Sequence, residues 1–160
     1  MNTPETLHIL GISGSLRAGS YNTALLRAAV ELMPPSLRLE ITDLSPLPIF
    51  NADEEKPFPA PVSELRARIA EADGLLIATP EYNGSLTGAL KNALDWASRS
   101  PKQPLSGKPV AIVGASTGAF GTVRSQTTLR QVLTHLGALP LGKPEVLVAR
   151  AEQAFDAELR

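Results

Sequence analysis

The chain has 160 residues, a formal net charge of −1, 43% hydrophobic and 19% charged residues, and no cysteine. That length suits a single domain over residues 1–160 with a sizeable core; the balanced charge leaves no footprint for a nucleic acid; the missing thiols exclude disulfides, thiol redox catalysis and thiolate metal sites. No apolar run is long enough to cross a bilayer, and residues 1–5 carry no basic-then-apolar leader, so the expected setting is cytoplasmic, with neither membrane nor nucleic acid as partner.

Leu7 to Ile12 is a short apolar run entering a glycine-rich turn, the pattern of a buried parallel strand. Leu25, Leu26, Ala29, Leu32 and Met33 then recur at helical spacing until Pro34-Pro35 stops them. Leu37 to Leu44 alternates in part and reads as a second strand. From Ser45 to Pro61 the chain carries Pro46, Pro48, Pro57, Pro59 and Pro61 without periodicity: an ordered loop that is either a rigid crossover or a wall of the site. Val62, Leu65, Ile69 and Ala72 mark a helix, Gly74 to Pro80 a third strand, Leu86 to Ala97 a helix, and Pro109 to Gly114 a fourth strand. Leu129, Val132, Leu133 and Leu136 mark a helix ending near Gly137, and Val146 to Val148 is the fifth strand. This alternation implies βαβ units and an α/β fold with a parallel sheet. His8 lies in a strand-like run and His135 near a helix end, a spacing that makes neither a metal site nor a Ser-His-Asp triad; both read as structural.

In an open parallel sheet, ligands sit beyond the carboxyl ends of the strands, so the loops after strands one, three and four should converge. The first, Ser13-Gly14-Ser15-Leu16-Arg17-Ala18-Gly19-Ser20-Tyr21-Asn22-Thr23, sets glycines, hydroxyls and an arginine at the mouth of a helix. Helix-terminal amides and the positive dipole end favour an anion; Ser15 and Ser20 add donors and Arg17 adds charge. Taken singly, each residue also fits a loop with Ser20 as the helix cap. Ser20-Tyr21 stands where a triphosphate loop needs Lys followed by Ser or Thr, and Gly11, Gly14 and Gly19 lack the dinucleotide spacing. A monophosphate fits best. The other loops, Thr79-Pro80-Glu81-Tyr82-Asn83-Gly84-Ser85 and Gly114-Ala115-Ser116-Thr117-Gly118-Ala119-Phe120-Gly121, offer exposed backbone and, at Tyr82, an aromatic surface suited to a flat heteroaromatic ring.

The first loop, the Pro80-Glu81-Tyr82-Asn83 segment and Gly88-Ala89-Leu90-Lys91-Asn92-Ala93-Leu94-Asp95-Trp96 together resemble the NADPH-dependent FMN reductase family, including its chromate and quinone reductases, from strand one to strand five. The resemblance implies a flavodoxin-like three-layer sandwich with a five-stranded parallel sheet of order 2-1-3-4-5, tightly but noncovalently bound FMN, NADPH or NADH as donor, and a homodimer or homotetramer. It implies that Ser15, Leu16, Arg17, Ser20, Tyr21 and Asn22 form the phosphate loop, that Pro80, Glu81, Tyr82, Asn83 and Gly84 lie beside the isoalloxazine ring, and that Ser116, Thr117 and Gly118 lie at its other edge. The Lys91-Asn92-Asp95-Trp96 helix resembles the one that commonly faces a partner subunit; its plain alternative is surface charge and one packed Trp.

Two departures stand out. Thr122 occupies a position where the family often has a second glycine, and after strand five only Ala151 to Leu159 is available, enough for a short helix. The sheet near strands one and five is therefore expected to expose apolar surface unless a tail or a neighbouring subunit covers it.

By the same resemblance the reaction is ping-pong electron transfer from NADPH or NADH to quinones, flavins, chromate or a similar small acceptor. The flavin carries the chemistry, with no catalytic side chain and no metal, and amides near Asn83 and Gly118 would support negative charge on the reduced ring. The rival readings are a flavodoxin-type electron carrier, for which the chain lacks a strongly acidic docking surface, and a flavin-free regulatory domain of the same fold.

Overall fold

The computed structural model describes residues 6–159. The expectation about a leader falls on residues 1–5 and so lies outside them. Among the described residues the order is β1 (Leu7–Ser13), α1 (Tyr21–Leu32), β2 (Leu37–Thr42), a 3-10 turn (Ala52–Glu54), α2 (Ala60–Glu71), β3 (Gly74–Ala78), α3 (Gly88–Ala97), β4 (Pro109–Ala115), α4 (Val123–His135), β5 (Leu139–Pro140), β6 (Val146–Val148) and α5 (Ala151–Ala154). Every strand pair is parallel, and the order is β2-β1-β3-β4-β5.

Side chains alternate across a strand, so register lines them up in rows. Leu10, Leu75 and Val110 are in register, and two residues on, so are Ile12, Ile77 and Ile112. Both rows pack with Leu65 and Ile69 of α2, Leu90 and Leu94 of α3, and Leu129 and Leu133 of α4. The intervening residues Ile9, Leu76, Ala78, Ala111 and Val113 serve the opposite face, where Leu26 of α1 packs. The three-layer sandwich is thus asymmetric. Beside α1 an apolar trough of about 280 Å³ remains, lined in part by Ile9, Met33, Leu76, Ala111 and Leu141. Apolar surface is exposed near strands one and five, as expected.

Two expectations are corrected. Helical spacing sets Leu32 on the apolar stripe of the first helix, yet it is 82% exposed; Asn22, Ala24 and Leu26 are the buried residues, and Met33 is the cap. The fifth sheet position, expected only at Val146 to Val148, is filled by two short pieces, β5 and β6, which both pair with β4. Two residues containing a proline carry no strand periodicity. β5 is set by its neighbour: Leu139 N–H donates to Lys108 O, and Leu141 N–H donates to Val110 O.

The proline-rich crossover is tied to α3. Pro48 O accepts from both the Asn92 amide at 2.8 Å and Trp96 Nε1 at 2.9 Å, while Asn92 Oδ1 accepts from Phe50 N–H at 2.7 Å. Trp96 is fully buried, with Phe50 edge-on at 4.8 Å. The α3 positions associated with a partner surface are therefore partly spent within the chain, and Lys91 pairs with Asp95 one turn on.

Candidate functional site

At the carboxyl ends of β1, β3 and β4 lies a cleft of about 180 Å³, lined by Ser15, Arg17, Ser20, Tyr21, Asn22, Pro80, Glu81, Tyr82, Ala115, Ser116 and Thr117. Of the residues expected there, Leu16, Asn83, Gly84 and Gly118 are not in the lining, and Ala115, which sequence reasoning missed, is. No residue of 45–61 lines the cleft, which favours the rigid-crossover reading of that loop.

The first wall is the head of α1. Ser20 is the cap: its hydroxyl oxygen accepts from Asn22 N–H at 3.2 Å and Thr23 N–H at 3.4 Å, which leaves its own proton to donate. Ser15 Oγ likewise accepts from Arg17 N–H. The amides of Leu16, Ala18, Gly19, Ser20 and Tyr21 make no hydrogen bond within the described residues. The guanidinium of Arg17 also makes none and lies over the Tyr21 ring at 5.7 Å. Unpartnered amides, hydroxyl protons and one cation at a helix N-terminus form a set of donors that suits an anionic group.

The second wall is a tight turn. Tyr82 and Ser85 exchange backbone hydrogen bonds across Asn83 and Gly84, whose φ values are 52° and 74°. Two adjacent positive φ values are what a type I′ turn requires, and Asn-Gly is the pair that tolerates them. The turn exposes Tyr82 and leaves the amides of Glu81, Asn83 and Gly84 unpartnered within the described residues.

The third wall is the turn after β4. Ser116 Oγ donates to Gly121 O at 2.6 Å, Ser116 N–H donates to Val148 O, and Arg150 N–H donates to Gly118 O. The amides of Thr117 and Gly118 make no hydrogen bond within the described residues. Thr122, the departure at a usual glycine, is accommodated because its partner position is itself a glycine: a Cβ on Gly114 would lie 1.8 Å from Thr122 Oγ1. The segment from β6 into α5 thus braces this wall, and Phe155 packs on Tyr21 at 5.3 Å. No local signal announces that role.

Buried polar side chains join the walls. Asn22, 3% exposed, pairs with the backbone of Ala115 in both directions: its amide donates to Ala115 O at 2.9 Å and its Oδ1 accepts Ala115 N–H at 3.0 Å. Thr87 Oγ1 donates to Gly14 O, which ties the first wall to the head of α3. Thr79 Oγ1 meets Ser125 Oγ at 2.7 Å. The Glu81 carboxylate faces α4, where it accepts from Arg124 N–H at 3.0 Å, Ser125 N–H at 3.3 Å and the Arg124 guanidinium at 2.7 Å. Of the charged groups lining the cleft, Glu81 is thereby neutralised and Arg17 remains unpaired. Just outside, Asp43 is held below the usual carboxylate range by hydrogen bonds from the Ser45 hydroxyl and amide.

The profile of the family described as NADPH-dependent FMN reductase matches residues 7–153. An NAD(P)H-dependent FMN reductase of Pseudomonas aeruginosa is 54% identical over 157 residues, covering 98% of this chain and 85% of the relative. A quinone reductase of Escherichia coli is 44% identical over 157 residues, covering 96% and 84%. Among solved structures, a flavoenzyme NAD(P)H:(acceptor) oxidoreductase from Paracoccus denitrificans superposes with a TM-score of 0.89 at 33% identity, covering 96% of this chain and 85% of the other.

Proposed function

This chain belongs to the NADPH-dependent FMN reductase family, and from that premise we propose that the cleft holds FMN, with the head of α1 as its phosphate seat and the turns after β3 and β4 as the bed for its ring. The protein is an FMN-dependent NAD(P)H oxidoreductase. One observation carries the assignment of residues: the backbone amides of Leu16, Ala18 to Tyr21, Asn83, Gly84, Thr117 and Gly118, all in the loops at the carboxyl ends of β1, β3 and β4, make no hydrogen bond within the described residues. Such donors gathered in three converging loops, one of them the head of a helix, suit a ligand with acceptors to match.

Bound there, FMN would supply the redox chemistry, hydride acceptance from NADPH or NADH and electron donation to an acceptor. The chain's contribution is binding and orientation. Ser15, Arg17 and Ser20 would hold the phosphate by charge-assisted hydrogen bonds, and the amides of Tyr21 and Gly19 would add dipole support. Asn83, Thr117 and Gly118 would present N–H groups toward acceptors at the ring edge, stabilising negative charge in the manner of other preorganised donors. Exposed Tyr82 would supply an aromatic margin beside the opening through which donor and acceptor enter in turn.

Quinones head the acceptor classes, because the name of the Escherichia coli relative specifies them; free flavin and chromate are the alternatives. A homodimer or homotetramer is the expected assembly. Incubating flavin-free protein with FMN should give a retained yellow spectrum after desalting and a steady oxidation of NADPH when benzoquinone is added. Colourless protein with no turnover under either nicotinamide would end the proposal.

A further inference from the structure

We infer that Glu81 is a positioning residue whose carboxylate caps α4 from a distance and thereby fixes the spacing between the two turns that bed the flavin ring, an inference that rests on the reading of the cleft as an FMN site.

The head of α4 lacks a local cap. Its cap residue, Thr122, makes no side-chain hydrogen bond to the first helix amides; its hydroxyl oxygen instead accepts from the Gln126 side-chain amide at 3.2 Å. A helix start normally has the N–H groups of its second and third residues taken by the cap side chain. Here those residues are Arg124 and Ser125, and both amides go to Glu81 Oε2, from a residue 43 positions earlier in the chain for Arg124. Glu81 Oε1 takes the Arg124 guanidinium, and the Glu81 side chain is only 11% exposed.

The consequence is geometric. Glu81 sits between Pro80 and Tyr82, both in the cleft lining, while α4 begins directly after the Ser116 to Thr122 turn. Ser116 and Thr117 line the facing wall. One carboxylate therefore holds the base of one turn against the far end of the other, and the Thr79 to Ser125 hydroxyl contact beneath it reinforces the same pairing. The charge matters as well. A carboxylate beside the positive end of α4 and Arg124 offsets positive potential close to the ring bed. Without it, negative charge on the reduced flavin is favoured and the flavin potential moves upward.

The test compares wild type, Glu81→Ala and Glu81→Gln. In flavin-free protein, hydrogen exchange at the Arg124 and Ser125 amides should be about tenfold faster in Glu81→Ala, and FMN, titrated by fluorescence quenching, should bind about three- to tenfold more weakly. The bound flavin's visible band should shift and its midpoint potential rise. Glu81→Gln keeps an oxygen for the amides but not the charge, so it should restore most of the amide protection and FMN affinity while the potential stays raised. Should Glu81→Ala fail to fold, the raised potential of Glu81→Gln carries the test. Unchanged exchange, or FMN affinity, band and potential all equal to wild type, would overturn the positioning role. Wild-type protein that takes up no FMN would instead sink the reading of the cleft, a separate outcome from wild-type binding with an indifferent Glu81→Ala.

Discussion

Arg66 and Arg17 are the same residue type in opposite circumstances. Arg66 of α2 is buried and donates to Trp96 O at 3.0 Å, Ala97 O at 3.0 Å and Lys102 O at 2.7 Å, with its guanidinium 4.5 Å from the centre of the Phe58 ring. It gives Ala97 O and Lys102 O a donor and adds a second one to Trp96 O, which also accepts from Arg99 N–H at 3.4 Å. Burial lowers its pKa from the usual value, yet an arginine so placed remains a cation. Arg17, by contrast, is exposed and its guanidinium makes no hydrogen bond within the described residues. The two regions show how hydrogen-bond accounting separates scaffold from site: where the chain satisfies itself it is building, and where it leaves donors open it is waiting for a ligand.

That contrast can be broken by substitution. Arg66→Ala, which removes three hydrogen bonds from a buried guanidinium and leaves Ala97 O without its donor, should cost about 3 kcal/mol in a urea unfolding experiment on flavin-free protein. A loss below about 0.5 kcal/mol, the level of an ordinary surface change, would abolish the distinction.

Asn22→Ala tests the seam between the two behaviours, because Asn22 is buried like Arg66 but lies in the cleft. Removing both bonds to Ala115 should lower stability by about 2 kcal/mol and should weaken FMN binding too, since the phosphate wall and the ring wall lose their tie. Stability lost with FMN affinity intact would place Asn22 wholly in the scaffold.

Arg17→Ala should do the reverse: FMN affinity falls by about 1 to 3 kcal/mol while flavin-free stability stays within about 0.5 kcal/mol of wild type. Calorimetric titration together with urea unfolding reads both. Unchanged affinity would remove Arg17 from the phosphate seat.

The smallest effect is expected at Asp43, which is exposed and belongs to neither region. Its carboxylate is favoured by the Ser45 hydroxyl and amide, so its pKa in the folded chain lies below that in the unfolded chain. The stabilisation is therefore present above the unfolded value of about 3.9 and is lost as pH falls from there through the lower folded value. Ser45→Ala, which removes the hydroxyl bond and keeps the amide one, should lower stability slightly at neutral pH and leave it almost unchanged at about pH 2, so that the acid limb of the stability curve becomes shallower. A change at pH 2 as large as that at pH 7 would contradict the assignment.

Much of the fold was legible because its signals are local. The apolar runs of β1, β3 and β4, the Ser20 cap, the Pro34-Pro35 stop and the Gly137 terminus are written by neighbours a few residues apart. The first wall of the cleft was legible for the same reason, since one continuous loop carries its hydroxyls, its glycines and Arg17. Leu32 misled because helical spacing alone does not say which edge of a stripe meets the sheet. The division of the fifth sheet position into β5 and β6 left no trace in the pattern, because the hydrogen bonds that define it belong to β4.

What the amino-acid sequence determined by itself was the alternation of strands and helices and the order of the loops at their ends, since periodicity and capping depend on short-range sterics and burial. The tertiary structure alone decided what the polar side chains of those loops do. Asn22 finds Ala115 across 93 positions, and the Glu81 carboxylate finds the head of α4. Such pairs are set by which strands lie side by side, so only the assembled sheet brings the partners within hydrogen-bond reach and leaves the remaining donors open around the cleft.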